Sequence, residues 1–262
     1  MAEQRRIVDI LNRAARIEAL RGRATERLRE FVPALFIRMF GDAVENPKGW
    51  PTERLGDCCV EVHYGTSKKA NDRSEGIPVL RMGNVTYDGD LDHTDLKHVL
   101  LSDAEIAKYG LREGDILFNR TNSRELVGKT GLWDGRFPAV PASYFIRLRL
   151  DECRADPTYV WAAMNSAGMK RRLLAMARGA IGQANINARE LRSVQLPIPP
   201  LNLQRRYGET LERARSIARV GEVGSRTAAA LIASLMSELF RNETPQRRNP
   251  PAMARPSAAP AP

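Results

Sequence analysis

Residues 4–40 and 204–240 carry one pattern twice, and no other property of the chain restricts its fold as strongly. Gln4, Arg5, Arg6, Leu11, Arg13, Ala14, Ile17, Leu35 and Phe40 recur as Gln204, Arg205, Arg206, Leu211, Arg213, Ala214, Ile217, Leu235 and Phe240, at a constant spacing of 200. In the first copy Ile7, Ile10, Ala14, Ile17, Ala24, Leu28, Phe31 and Leu35 fall on the a and d positions of a seven-residue template, with Arg21 the polar exception. The period predicts a helical segment at 1–41, strongest from Glu3 to Phe40, and a second at 201–242. Two similar apolar stripes bury themselves most readily against each other, so an antiparallel coiled coil is expected, either within the chain or between two copies. Ile7, Ile17, Leu28, Ile217 and Leu231 are its expected seam, and the chain is expected to dimerise through it. Pro33 would cost about 3 kcal/mol in a helix interior, which predicts a kink near Val32. Gly221 and Gly224 weaken the second helix by about 1 kcal/mol each, so that helix needs its partner.

Between the helices lies one domain, 42–200. The turn-rich stretch 41–50 (GDAVENPKGW) ends the first helix at a glycine of the kind that accepts a left-handed backbone. Leu55–Val62, Pro78–Met82, Leu117–Arg120, Lys129–Trp133 and Phe145–Leu150 have strand-like patterns separated by Gly, Asn and Asp turns. Ser102 with Glu105 forms a capping box for a short helix through Tyr109, and Pro157–Arg178 reads as a second helical region. Without regular strand–helix–strand spacing, these elements predict an α+β domain of about 150 residues with a curved, partly closed sheet. The stretch 179–204 closes it. Asn185 and Asn187 can cap a helical turn through Leu191; Val194, Leu196 and Ile198 alternate as a strand; Pro197, Pro199 and Pro200 bar that strand from a central position. Asn202 is the expected cap of the helix that follows, and the Pro-, Ala- and Arg-rich tail 243–262 is expected to be disordered.

A net charge of +10 with a pI near 9.9 favours a polyanionic partner. No apolar run approaches the ~18 residues of a membrane span, and Met1–Ile10 is charged, so no membrane partner is expected and the cytoplasm is the default location. Cys58, Cys59 and Cys153 make no disulfide framework or zinc spacing and read as free thiols. Enzyme motifs fail individually. Gly128-Lys129-Thr130 lacks the earlier glycine of a phosphate loop, since position 123 is serine. Asn249-Pro250-Pro251 is followed by Ala252 where a methyltransferase signature needs an aromatic ring. Asp95-Leu96-Lys97 with Asp72 imitates part of a nuclease site, and His63, His93 and His98 show no metal-ligand spacing. Neither a catalytic residue, a metal nor a cofactor is therefore assigned.

Polar loops at strand ends suit nucleic acid better. Asn119, Arg120, Thr121, Asn122 and Ser123 follow an apolar strand and offer amide, guanidinium and hydroxyl groups of the kind that pair with base edges. Tyr64, Thr66, Ser67, Lys68 and Lys69 form a similar loop in which the lysines suit phosphates, and Arg81 with Asn84 forms a third. Gln183 and Asn185 are a fourth candidate, because both amide types can bond adenine. Each loop taken alone also reads as a solvated turn.

Four stretches together carry a resemblance. Gly179-x-x-Gly182-Gln183-x-Asn185-Ile186-Asn187, Leu196 to Gln204 (LPIPPLNLQ), Trp50-Pro51-x-x-x-Leu55-Gly56-Asp57 and Leu111 to Phe118 (LREGDILF) are similar to motifs of the specificity subunits of type I restriction-modification systems. The likeness spans roughly residues 3–240. It implies a non-catalytic subunit that reads one half of a bipartite site in double-stranded DNA. Its helices would dock a methyltransferase (modification) subunit and a restriction/translocase subunit. Subunits of that family carry two recognition domains joined by two helices, whereas this chain has one. The resemblance therefore implies a half-subunit that pairs with a second copy or with another half. The competing readings are a stand-alone methyltransferase or nuclease fragment, which the absence of a cofactor loop disfavours, and a helical scaffold, which leaves the polar loops unexplained.

Overall fold

The computed structural model describes residues 2–122, 126, 128–177 and 184–216. Residues 25–216, where described, belong to one compact unit, and residues 2–24 to another. The first helix, α1 (Ala2–Phe40), continues through Pro33 as a single element, so the proline does not open a separate helix. Its end is closed completely. Gly41, at φ +85°, donates to Ile37 O at 2.9 Å. The Lys48 ammonium donates to Arg38 O and Met39 O at 2.9 and 2.8 Å, and Trp50 Nε1 to Phe40 O at 3.1 Å. Each of the four carbonyls that a helix C-terminus leaves orphaned thus has a donor. A Cβ on Gly41 would also meet Pro47 Cγ at 2.6 Å, so both the backbone angle and the packing demand glycine there.

The domain then runs β1 (Thr52–Arg54), a 3-10 turn at Leu55–Cys58, β2 (Cys59–Tyr64), β3 (Ile77–Leu80), a 3-10 turn at Met82–Asn84, β4 (Lys97–Val99) and α2 (Asp103–Tyr109). After these come β5 (Ile116–Asn119), β6 (Thr121–Asn122), β7 (Thr130–Leu132), β8 (Val140–Pro141) and β9 (Phe145–Leu150). It finishes with α3 (Pro157–Asn165), α4 (Ala167–Met176), β10 (Ala184–Asn185), α5 (Ala188–Arg192), β11 (Gln195–Pro197) and α6, residues 201–216. Mixed α and β structure is as expected, but the sheet is not a partly closed one. Among the described residues the strands form four separate sheets: β2-β9-β5-β7, β4-β3-β8, and the pairs β1-β11 and β10-β6. The strands are short, and Pro78, Pro141 and Pro197 within β3, β8 and β11 lack the amide hydrogen that a continuing ladder would need.

The four-stranded sheet divides the interior. Ile116, Phe118, Ile146, Leu148 and Leu150 join the large cluster formed with α3, α4, α5 and the end of α1. Leu117 and Phe145 pack in the second cluster with Leu80, Val85 and Trp133. Successive strand residues point to opposite faces, so one strand serves both cores. Pro157–Arg178 is not one helix. Ser166 ends α3, its amide donating to Ala163 O, and begins α4, its Oγ accepting from Met169 N at 3.3 Å.

Domain start and end are clasped together. β1 pairs with β11 in antiparallel register Thr52↔Pro197, Glu53↔Leu196, Arg54↔Gln195, extended by Ile198 N to Pro51 O and Leu55 N to Val194 O. Pro200 O receives the amides of Leu203 and Gln204, so α6 begins at residue 201, one position before the expected cap Asn202. Gln204 is fully buried and satisfied, accepting from Asp156 N at 2.9 Å and donating to Pro199 O at 2.7 Å. Above the clasp, Phe36 and Phe40 of α1 meet Tyr159 of α3 and Tyr207 of α6 with ring centroids 4.8–5.8 Å apart. Tyr159 also donates to Pro197 O at 2.6 Å, and burial pushes both tyrosine hydroxyls well above their usual pKa.

Candidate nucleic-acid interface

The ends of β2 and β5 and the start of β9 lie together, because Tyr64 pairs with Ile146 and Asn119 with Phe145. The chain crosses itself closely there. Gly65 donates to Phe145 O, and a Cβ at that position would meet Pro141 O at 2.2 Å, so only glycine permits the passage. Arg120 is tied at both backbone groups: its amide donates to Tyr144 O at 2.9 Å and its carbonyl accepts from Ile186 N at 3.0 Å. Immediately beyond, β6 and β10 pair as Ala184↔Asn122 and Asn185↔Thr121. Two loops expected separately from the sequence are therefore one ribbon. Tyr64 joins it on the other side, its ring lying under the Arg120 guanidinium at 4.9 Å and its Oη accepting from Ala188 N at 3.0 Å.

The remaining expected residues divide by burial. Ser67 and Lys69 are exposed. Lys68 is exposed but held by Glu105 at 2.7 Å, and that lysine, with the Ser102 amide and hydroxyl, pulls the Glu105 carboxyl down to about 2. Thr66 and Asn84 are buried, and their side chains are engaged inside the fold. Thr66 forms a bridge with Ala142 and its hydroxyl accepts from Lys68 N, while the Asn84 amide donates to Asp92 O and Asp95 O. Asn119 is likewise fully buried, and neither polar atom of its side-chain amide has a partner among the described residues. Arg81 is half-buried and bound to Asp95 at 2.8 Å, in a loop apart from the ribbon. Ser123 and Gln183 lie outside the described residues, as do Ile217, Leu231 and the tail 243–262. Asn185 is exposed on the ribbon. Tyr144, 45% exposed and accepting from the Arg120 amide, and the exposed Arg189 on α5 are not singled out by the sequence; an aromatic ring in a turn just before the apolar run Phe145–Leu150 is the available signal for the first.

The motifs weighed as enzymatic have structural roles. Lys129 is buried and donates to Met82 O at 2.8 Å, and burial lowers its pKa. Lys97 pairs with Asp72, and Asp95 with Arg81. Burial raises Cys58 to about 11 and Cys59 to about 12, so both remain protonated thiols. The stretch Leu111–Phe118 is explained by Asp115. Gly114 turns at φ +85° and presents the Asp115 carboxylate, which accepts from Arg112 N at 2.8 Å and from Arg149 Nε and Nη2 at 2.9 and 2.8 Å. Glu61 then bridges Arg149 and Arg147, and Arg147 reaches Gly110 O.

A family model described as the type I restriction modification DNA specificity domain matches residues 47–218. The chain belongs to this family. Among curated relatives, this specificity-domain chain is 27% identical over 234 residues to the EcoKI specificity subunit of Escherichia coli K12, covering 86% of this chain and 47% of that one. It is 29% identical over 169 residues to a Methanocaldococcus jannaschii protein provisionally named the type I restriction enzyme MjaX specificity subunit, covering 64% and 40%. The chain thus spans under half the length of the curated relatives it matches. The fold is also that of the HsdS subunit of Thermoanaerobacter tengcongensis, at a TM-score of 0.51 and 21% identity over 93% of this chain and 59% of that one.

Proposed function

We propose that the chain is the DNA sequence-specificity subunit of a type I restriction-modification system, reading one half of a bipartite site while catalysis resides in partner subunits. The family match gives the class, and the convergence of Tyr64, Arg120, the 121–122 strand and Asn185 on one ribbon is the observation that carries the reading for this chain. Double-stranded DNA is the ligand, with Ser67, Lys68 and Lys69 toward phosphates and residues 120–122 and 185 toward base edges. The methyltransferase and restriction subunits dock on the helices, in the cytoplasm. No helix among the described residues is long and apolar enough to cross a membrane.

The test is binding to cognate and random duplexes over a range of salt. Lys69→Ala is expected to weaken both equally and to flatten the salt slope by about one unit. Asn185→Ala is expected to cost roughly 1–3 kcal/mol on the cognate half-site alone. Equal affinity of the wild-type chain for all duplexes would sink the reading.

The pattern repeated at 4–40 and 204–240 supports pairing of two copies, or of this chain with another half, through a coiled coil. Ile17, 40% exposed on α1, remains a proposed seam residue of that coiled coil with Ile7, Leu28, Ile217 and Leu231. Light scattering of the purified chain is expected to give a dimer mass, and Ile17→Asp with Ile217→Asp to give monomers or aggregates. A wild-type mass of one chain would remove the pairing.

A further inference from the structure

We infer that Arg120 reads a guanine and that Tyr64 is the positioning residue that aims it, an inference that rests on the DNA-reading role proposed above. Four other arginines of the domain pair with carboxylates and are tied down by them: Arg81 with Asp95, Arg147 with Glu61, Arg149 with Asp115 and Arg154 with Glu53. Arg120 makes no ion pair among the described residues. Its backbone is fixed on both sides by Tyr144 O and Ile186 N, and its Nε is buried without a partner. A fixed backbone and a buried root leave the guanidinium one support, the Tyr64 ring at 4.9 Å. That ring is 39% exposed and is itself held by the Ala188 amide at the first turn of α5. Among the described residues the cation is therefore positioned without being paired to a carboxylate.

A planar fork with fixed orientation and free terminal donors matches an acceptor pair in one plane. In the major groove only guanine offers two acceptors, O6 and N7, on one base edge; adenine presents N7 beside an amino donor that the guanidinium would oppose. Stacking on tyrosine does not satisfy the N–H donors, which lie in the guanidinium plane, so the two contacts are compatible.

The test uses the full chain, selected on a randomised duplex library and then measured on duplexes carrying each base at every selected position. The wild-type chain is expected to show one position at which guanine is preferred about 10- to 100-fold. In Arg120→Ala that preference collapses to within about twofold at that position only. Tyr64→Phe keeps the ring and stays within about twofold of wild type, whereas Tyr64→Leu lowers the guanine preference roughly threefold to tenfold, leaving other positions unchanged. If Arg120→Ala erases a preference for another base, or none, while other positions stay selective, the inference fails and DNA reading stands. Uniform losses across positions in Tyr64→Leu, or Tyr64→Phe as damaging as Tyr64→Leu, would make Tyr64 a structural residue and overturn its positioning role. A wild-type chain without any base preference would remove both this inference and the function it rests on.

Discussion

Asp115→Ala is expected to destabilise the folded chain by about 3–5 kcal/mol, because it leaves the half-buried Arg149 with one remaining acid and releases the Arg112 amide. The carboxylate is 1% exposed and accepts three hydrogen bonds, two of them from one guanidinium, so water cannot replace it cheaply. Removing both charges should hurt less per residue. Asp115→Ala with Arg149→Leu is expected to be more stable than the single Asp115→Ala variant, since no uncompensated cation remains. Urea unfolding midpoints of the three chains measure this; a loss under 1 kcal/mol for Asp115→Ala would show that the network is dispensable.

Phe40→Ala is the second large effect, at about 3–5 kcal/mol. Its ring lies 4.8 Å from Tyr159 and 5.6 Å from Tyr207, so truncation opens a cavity where α1, α3 and α6 meet. Phe40→Leu keeps much of the volume and should cost less than half as much. Ile37→Ala, three residues away on the same helix but exposed, should change stability by no more than about 0.5 kcal/mol. Thermal unfolding that failed to separate Phe40→Ala from Ile37→Ala would remove the aromatic cluster as the anchor of α1.

What the sequence disclosed was local chemistry. The Ser102–Glu105 box stands where its four residues require, α2 follows it, and Phe145–Leu150 is a strand with the bounds its pattern predicts. Gly41 ends α1 because a left-handed turn there has one suitable residue. Interactions across long separations were hidden. Nothing near Asp115 announces that its partner is Arg149, and Leu55–Cys58 forms a 3-10 turn where an apolar strand was expected, because Leu55 N is drawn to Val194 O. β6 and β10 have two residues each, too few for any periodicity, so the ribbon that unites the site could not be read from either loop. Sheet closure was overestimated for a related reason: strand number is visible in a sequence, while the prolines that stop each ladder act only through neighbours not yet known. Thr66 and Asn84 show the same limit, since a polar side chain in a loop gives no sign of whether it faces solvent or fastens the loop from within.

The β1–β11 clasp has a mechanical meaning. Three paired residues and two flanking hydrogen bonds fix the distance between the point where the chain leaves α1 and the point where it starts α6. The ribbon and its loops lie between those two strands in the chain and make none of the clasp's hydrogen bonds. Under the proposed role, substitutions at Arg120 or Asn185 are expected to leave the hydrogen bonds of the clasp in place. The clasp and the ribbon are thus joined by separate sets of backbone bonds, as a buckle is separate from the strap it closes.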